Sequence, residues 1–172
     1  VYAKGGVFSV SLIVTNSSGC SDTLIRSPYI TTVKDAPPDA LKILTATVES
    51  DTSVYLIWNG SEASDFGVYA LYRKNNISGK FEMIALTNDV NVTSFTDYSL
   101  NTLDNSYCYK IAAKDTCGNI LDTENLQEYC TINVTARSTG DKIIVDWSPY
   151  IGCPVHGYEI YCNIIDNKMQ FY

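Results

Sequence analysis

The chain has 172 residues, of which 45% are apolar and 13 are tyrosine, and its formal net charge is −7. This is enough apolar surface for packed cores, which excludes global disorder. The acidic balance lacks the basic footprint of a nucleic-acid or anionic-membrane binder, and no apolar run approaches the roughly 20 residues that a membrane-spanning helix needs.

Helical periodicity is nearly absent. Short alternating runs rich in Val, Ile, Thr and Tyr recur between Asn, Gly, Asp and Ser clusters, which is an all-β pattern. The start, Val1-Tyr-Ala-Lys-Gly-Gly, carries no signal-peptide pattern, so a targeting signal is expected outside this stretch. The first predicted strand is Val7 to Thr15, with Phe8, Val10, Leu12 and Val14 on one face. Lys34-Asp-Ala-Pro-Pro-Asp39 then reads as a boundary, because consecutive prolines oppose helix and central strand and suit an extended linker. Strands follow over Ile43 to Val48, Val54 to Trp58, Tyr69 to Lys74, Phe81 to Leu86, Tyr107 to Lys114, Tyr129 to Thr135, Ile143 to Trp147 and Tyr158 to Cys162. Val54, Leu56 and Trp58 share one face, as do Tyr69 and Leu71, and Tyr107, Tyr109, Ile111 and Ala113 form a third inward stripe.

Two groups of these residues coincide at a constant offset. Trp58 and Trp147 are 89 positions apart (147 − 58), and so are Tyr69 and Tyr158, Leu71 and Ile160, Tyr72 and Tyr161, and Ile43 and Ile132. A module of about ninety residues is therefore repeated, a size at which a two-sheet sandwich buries a viable core. The expected core aromatics are Trp58, Tyr69 and Tyr107 in the first copy and Trp147 and Tyr158 in the second. Each Trp lies on the apolar phase of its strand, which favours a core role over ligand stacking.

Six cysteines, Cys20, Cys108, Cys117, Cys130, Cys153 and Cys162, suit an oxidising compartment. They form no C-x2-C pairs and the chain has a single histidine, His156, so zinc-site spacing is missing and no metal is expected. Cys117 and Cys130 flank a loop nearly symmetrically, and a disulfide between them is the predicted bridge. Cys108 has the opposite strand phase to the core tyrosines and is left, with Cys153 and Cys162, without an assigned partner; Cys20 is expected to pair within its own domain.

No G-x-S-x-G, P-loop, Rossmann or H-E-x-x-H pattern occurs, and no catalytic constellation is suggested. Asp115, Asn119, Asp122, Glu124 and Asn125 fall in one loop and offer oxygens of the kind calcium prefers. Their spacing matches no calcium loop, so a solvated turn is the plainer expectation. Five N-x-[ST] sequons, at Asn16, Asn59, Asn76, Asn91 and Asn133, fit an Asn- and Thr-rich β surface and bear on function only where the source glycosylates at that motif.

Trp58, the Tyr69-x-Leu-Tyr-Arg73 strand and Tyr107-Cys-Tyr-Lys-Ile-Ala-Ala-Lys-Asp115 together resemble a fibronectin type III module, and Cys117-Gly-Asn resembles a turn of such modules in Bacteroidota secreted proteins. Gly6 to Thr23 and Tyr29 to Val33 resemble the last strands of a PKD domain, and Asp22-Thr23-Leu24 resembles a short Bacteroidota O-glycosylation motif. The resemblance implies tandem immunoglobulin-like β-sandwiches: residues 1–35 as a PKD tail, 36–130 as a complete fibronectin type III-like module and 131–172 as the start of another. It further implies a non-catalytic stalk or adhesion segment of a large extracellular or cell-surface protein, as in type IX-secreted, gliding-motility-associated proteins. Its partners would be the rest of the same polypeptide, surface or glycan ligands, or secretion machinery. The alternative is an accessory carbohydrate-binding region of a secreted hydrolase, with outward Tyr55, Tyr72 and Tyr161 stacking on sugars. The apolar stripes at both ends, lacking opposing sheets, are expected to be completed by further sequence.

Overall fold

The computed structural model describes residues 6–32, 36–165 and 168–171, with those from Cys162 onward described by their backbone alone. In chain order the strands are β1 Gly6–Thr15, β2 Ser21–Thr32, β3 Ile43–Ser50, β4 Ser53–Trp58, β5 Phe66–Lys74, β6 Phe81–Thr87, β7 Ser94–Asp97, β8 Cys108–Asp115, β9 Tyr129–Cys130, β10 Val134–Thr139, β11 Lys142–Trp147, β12 Cys162–Ile165 and β13 Lys168–Phe171. The all-β expectation holds. Thr123–Asn125 forms a short 3-10 turn.

Strands β3 to β9 build one sandwich. Its sheets have the orders β3-β4-β7 and β6-β5-β8-β9, and every pairing within them is antiparallel. Seven strands split three and four make an immunoglobulin-like sandwich of the fibronectin type III kind. Alternation sets the faces: Val54, Leu56 and Trp58 of β4 are buried, as are Tyr69 and Leu71 of β5 and Tyr109, Ile111 and Ala113 of β8. Burying each large apolar side chain contributes about 1.5–3 kcal/mol. Trp58, 3% exposed, meets Tyr69 edge-on, with ring centroids 5.8 Å apart. Its indole N–H finds no hydrogen-bond partner among the described residues.

Polar tips tie the loops to this core. The Tyr69 hydroxyl accepts from the Ser61 N–H at 2.8 Å and donates to the Val90 carbonyl at 3.0 Å, joining the β4–β5 and β6–β7 loops. At the other end the Tyr107 hydroxyl accepts from the Asn101 N–H at 2.9 Å. A tyrosine that opens its strand and bonds backbone a few residues upstream marks the corner of such sandwiches. Between the sheets, Asp97 of β7 receives Arg73 of β5 at 2.9 and 2.8 Å and the Tyr109 hydroxyl of β8 at 2.9 Å. Close packing also fixes Gly67 at the β5 bulge, where a Cβ would lie 2.8 Å from the Asp115 carbonyl oxygen.

The remaining strands form three two-stranded antiparallel hairpins, β1–β2, β10–β11 and β12–β13. In β10–β11 the turn pair Thr139↔Lys142 corresponds at the 89-residue offset to Ser50↔Ser53 of β3–β4. Gly140 takes the first turn position with φ +62°, a conformation glycine adopts without steric cost. Trp147 opposes Val134, not the offset partner of Ile43, because β10 lacks the two register shifts of β3.

Several expectations need correction. The segment Tyr129 to Thr135 is broken, because the Cys130 N–H donates to Ile151 and the Thr131 N–H to Tyr107, so the chain leaves one sheet before β10 begins. Tyr158 to Tyr161 alternates like a strand but has no ladder partner among the described residues; pairing starts at Cys162. Trp147 and Tyr158, expected in a core, are 40% and 43% exposed, since no described strand covers them as β8 covers Trp58 and Tyr69. Lys34 and Asp35 of the expected linker, and Val33 at the end of the expected strand before it, lie outside the described residues.

Trp58→Ala should destabilise the sandwich by about 3–5 kcal/mol. Trp58→Phe should cost clearly less, since it keeps a ring and removes an unpaired donor worth about 1–3 kcal/mol. Denaturant unfolding of both variants checks the order, and equal losses would contradict the packing described.

Burial, and then the Asp97 carboxylate, hold the Tyr109 phenol well above its ordinary 10.0. The unfolded phenol ionises near 10.0 while the folded one stays protonated, so its contribution is complete below that pH and is lost above it. Tyr109→Phe should therefore flatten the alkaline fall in stability by up to about 1.4 kcal/mol per pH unit. Unfolding midpoints measured between neutral and strongly alkaline pH check this, with an unchanged slope counting against it.

Candidate functional site

The most constructed region outside the core is the junction where the first sandwich passes into β10. Thr131, 1% exposed, is the hinge residue. Its N–H donates to the Tyr107 carbonyl at 2.9 Å, and its hydroxyl accepts from the Tyr107 N–H at 3.0 Å. Two residues on, the Asn133 amide donates to the carbonyls of Thr102 and Leu103 at 3.3 and 2.9 Å. That loop is itself bound to the β3–β4 turn, through Leu100 N–H to Thr52 at 3.1 Å and Thr102 N–H to Asp51 at 3.0 Å. The first residues of the second copy thus grip the far end of the first.

The loop after β11 makes the other half of the junction. The Ile151 carbonyl accepts from the Cys130 N–H at 2.9 Å, forming a bridge to the edge of β9. Gly152, at φ +119°, lies against the Tyr129 ring so closely that a Cβ would sit 2.2 Å from its Cδ1. Tyr129 and Tyr150 both reach backbone of β3, at Ile43 and Ala46, and burial, followed by the neighbouring Cys153, raises both phenols. Loop 148–153 therefore plugs the open side of the sandwich between β3 and β9.

Inside the second copy, the Tyr158 hydroxyl accepts from the Tyr150 N–H at 3.0 Å, and its ring lies 5.5 Å from Trp147. Both contacts match those of Tyr69 with Ser61 and Trp58 at the same 89-residue offset. The repeat extends from residue types to hydrogen bonds.

The disulfide in the structure joins Cys108 to Cys130, whose Cα atoms are 4.0 Å apart, and not Cys117 to Cys130. The reason is register: Cys108 and Cys130 are opposed across β8 and β9, whereas Cys117 sits in the turn after β8 and is exposed and free. The opposite phase of Cys108 to the core tyrosines was the signal for this pairing, because Cys130 has the same opposite phase to Tyr129 and is the residue directly across the ladder. Cys20 and Cys153 are free and exposed, and the Cys162 side chain lies outside the described residues. Among the described residues, Cys108, Glu128 and Cys130 converge closely enough to hold a metal, but the disulfide consumes both sulfurs.

The acidic loop is engaged locally. Burial works to raise the Asp115 carboxyl, yet hydrogen bonds from Asn119, Gly118 and Cys117 prevail and hold it below the usual carboxylate range. Asp122 caps the 3-10 turn by accepting from the Glu124 N–H at 3.1 Å. These are turn contacts and not a converging oxygen cage. Tyr55, Tyr72 and Tyr161 do not share a platform: Tyr55 is on the three-stranded sheet, Tyr72 on the four-stranded sheet, and Tyr161 in the second copy.

No protein-family model matches the chain, and no curated protein matches it. Among solved structures, it is similar to the solution structure of the fibronectin type-III domain of human fibronectin type III domain containing protein 3. That similarity has 14% identity and a TM-score of 0.42 over 73% of this chain and 99% of that one.

Gly152→Ala would drive a methyl group into the Tyr129 ring and force a strained φ. The less packed loop should yield and the core aromatic should stay: limited proteolysis within residues 148–160 should quicken severalfold, while the sandwich loses under about 1 kcal/mol. Unchanged cleavage would contradict the docking of this loop.

Proposed function

We propose that this chain is a non-catalytic spacer segment of an extracellular or cell-surface protein, in which sandwich modules are joined in series and hold binding regions apart. The observation that carries the reading is the junction: the second copy begins at a buried Thr131 with no free linker and grips the first through Asn133, Ile151 and Gly152. Such interlocking suits an element that transmits position. The cross-strand disulfide suits an oxidising compartment. Asp97, Asp115 and Asp122 are each engaged in bonds that fix strands or turns.

The finer reading follows the sequence resemblance: residues 1–35 as a PKD tail, 36–130 and 131–172 as fibronectin type III-like modules, in a type IX-secreted adhesin of a member of the Bacteroidota. The carbohydrate-binding alternative loses support from the dispersal of Tyr55, Tyr72 and Tyr161 over separate surfaces.

Small-angle scattering of the chain tests the spacer reading. A compact single domain of this length would have a radius of gyration of about 16 Å, and modules in series should give roughly 20 Å or more. A compact value sinks the proposal. On a glycan array, binding that disappears in Tyr55→Ala, Tyr72→Ala or Tyr161→Ala would favour the carbohydrate-binding alternative instead.

A further inference from the structure

β9 is two residues long, and Cys130 within it is engaged on both sides. Its sulfur is bonded to Cys108 of β8, while its N–H turns away from β8 and donates to Ile151 of the next copy at 2.9 Å. The cysteines are 22 residues apart, and loop 116–128 between β8 and β9 is ordered by a short 3-10 turn, the isolated bridge Lys114↔Ile120, the buried Leu126 and a bond from Lys110 Nζ to the Thr123 carbonyl at 2.8 Å. The covalent bond adds to the Tyr107–Thr131 hydrogen bonds and the buried Tyr129 ring in returning this excursion to β8, and it acts at the very residue on which loop 148–153 docks.

We propose that the Cys108–Cys130 disulfide is a redox latch on the junction: closed, it holds β9 as the edge on which the second copy is seated; opened by a dithiol, it releases that edge while the rest of the sandwich stays folded. Cys108 is half-buried and Cys130 is 2% exposed, so the incoming thiolate attacks the Cys108 sulfur. The S–S bond breaks, a mixed disulfide forms on Cys108, and the electron pair leaves with Cys130. Glu128 Oε1 lies 3.6 Å from that sulfur and is itself held by Lys74 Nζ at 3.1 Å; Cys130 takes up a proton from solvent and as a thiol can donate to Glu128. The second thiol of the reductant then displaces Cys108. The dithiol ends as a disulfide, and its two electrons and two protons reside on Cys108 and Cys130. This device goes beyond the spacer reading and does not depend on what the spacer presents.

The experiment is hydrogen exchange followed by mass spectrometry on the full chain, oxidised, reduced with dithiothreitol, and as the C108S/C130S variant. Reduction should accelerate exchange at least tenfold in segments 129–133 and 148–152 and leave segments 53–58 and 69–73 within about twofold; reoxidation should restore the slow rates. Cys117→Ser should behave like the parent chain in both states. Unchanged exchange at the junction on reduction would overturn the proposal. So would equal acceleration of the core strands, including a double variant that fails to fold, because the bond would then be a general staple of the sandwich.

Discussion

A large aromatic side chain with a polar tip can enter a core only where that tip is met, and Tyr69 imposes this constraint on the structure. Its ring lies between Trp58 and Phe66, with centroids 5.8 and 4.5 Å away, and its hydroxyl is held by the Ser61 N–H and the Val90 carbonyl. Two loops that each cross from one sheet to the other are therefore positioned by one buried residue. Moving either loop would leave a buried hydroxyl unsatisfied, a cost of about 1–3 kcal/mol. Tyr158, 43% exposed, makes the corresponding bond to the Tyr150 N–H in the loop that reaches back to β9.

The second organising tie is polar as well. Asp97 accepts Arg73 and Tyr109 across the space between the sheets. Pairing a buried carboxylate recovers at best most of its desolvation cost, so the net stabilisation of such a triad is modest while the loss of one member is severe. Its contribution is to register: it sets where β7 lies relative to β5 and β8, and apolar burial supplies the bulk of the favourable free energy.

Much of this was legible in the sequence. The alternation of Val54, Leu56 and Trp58, and of Tyr109, Ile111 and Ala113, marks faces because side chains on a strand have a period of two. The 89-residue offset was visible in Trp and Tyr positions, and the structure extends it to a hydroxyl bond that no residue type announces. β7 was missed because Ser94-Phe-Thr-Asp is too short for alternation to show. β2 was only partly read, since Ser21–Thr32 mixes exposed apolar and polar residues without a single buried face. The disulfide was misread because symmetry about a loop says nothing of register, whereas side-chain phase does. The junction was invisible: Thr131, Asn133 and Gly152 are ordinary residues whose roles depend on partners some 20 to 30 positions away.

The second copy repeats the first down to the tyrosine that holds its loop. Amide hydrogen exchange at Tyr150, in the full chain and in Tyr158→Phe, tests this most directly. The account predicts a protected Tyr150 amide that exchanges at least tenfold faster in the variant while the Ser61 amide is unaffected. A Tyr150 amide already exchanging at the rate of an open chain, or one indifferent to loss of the Tyr158 hydroxyl, would contradict it.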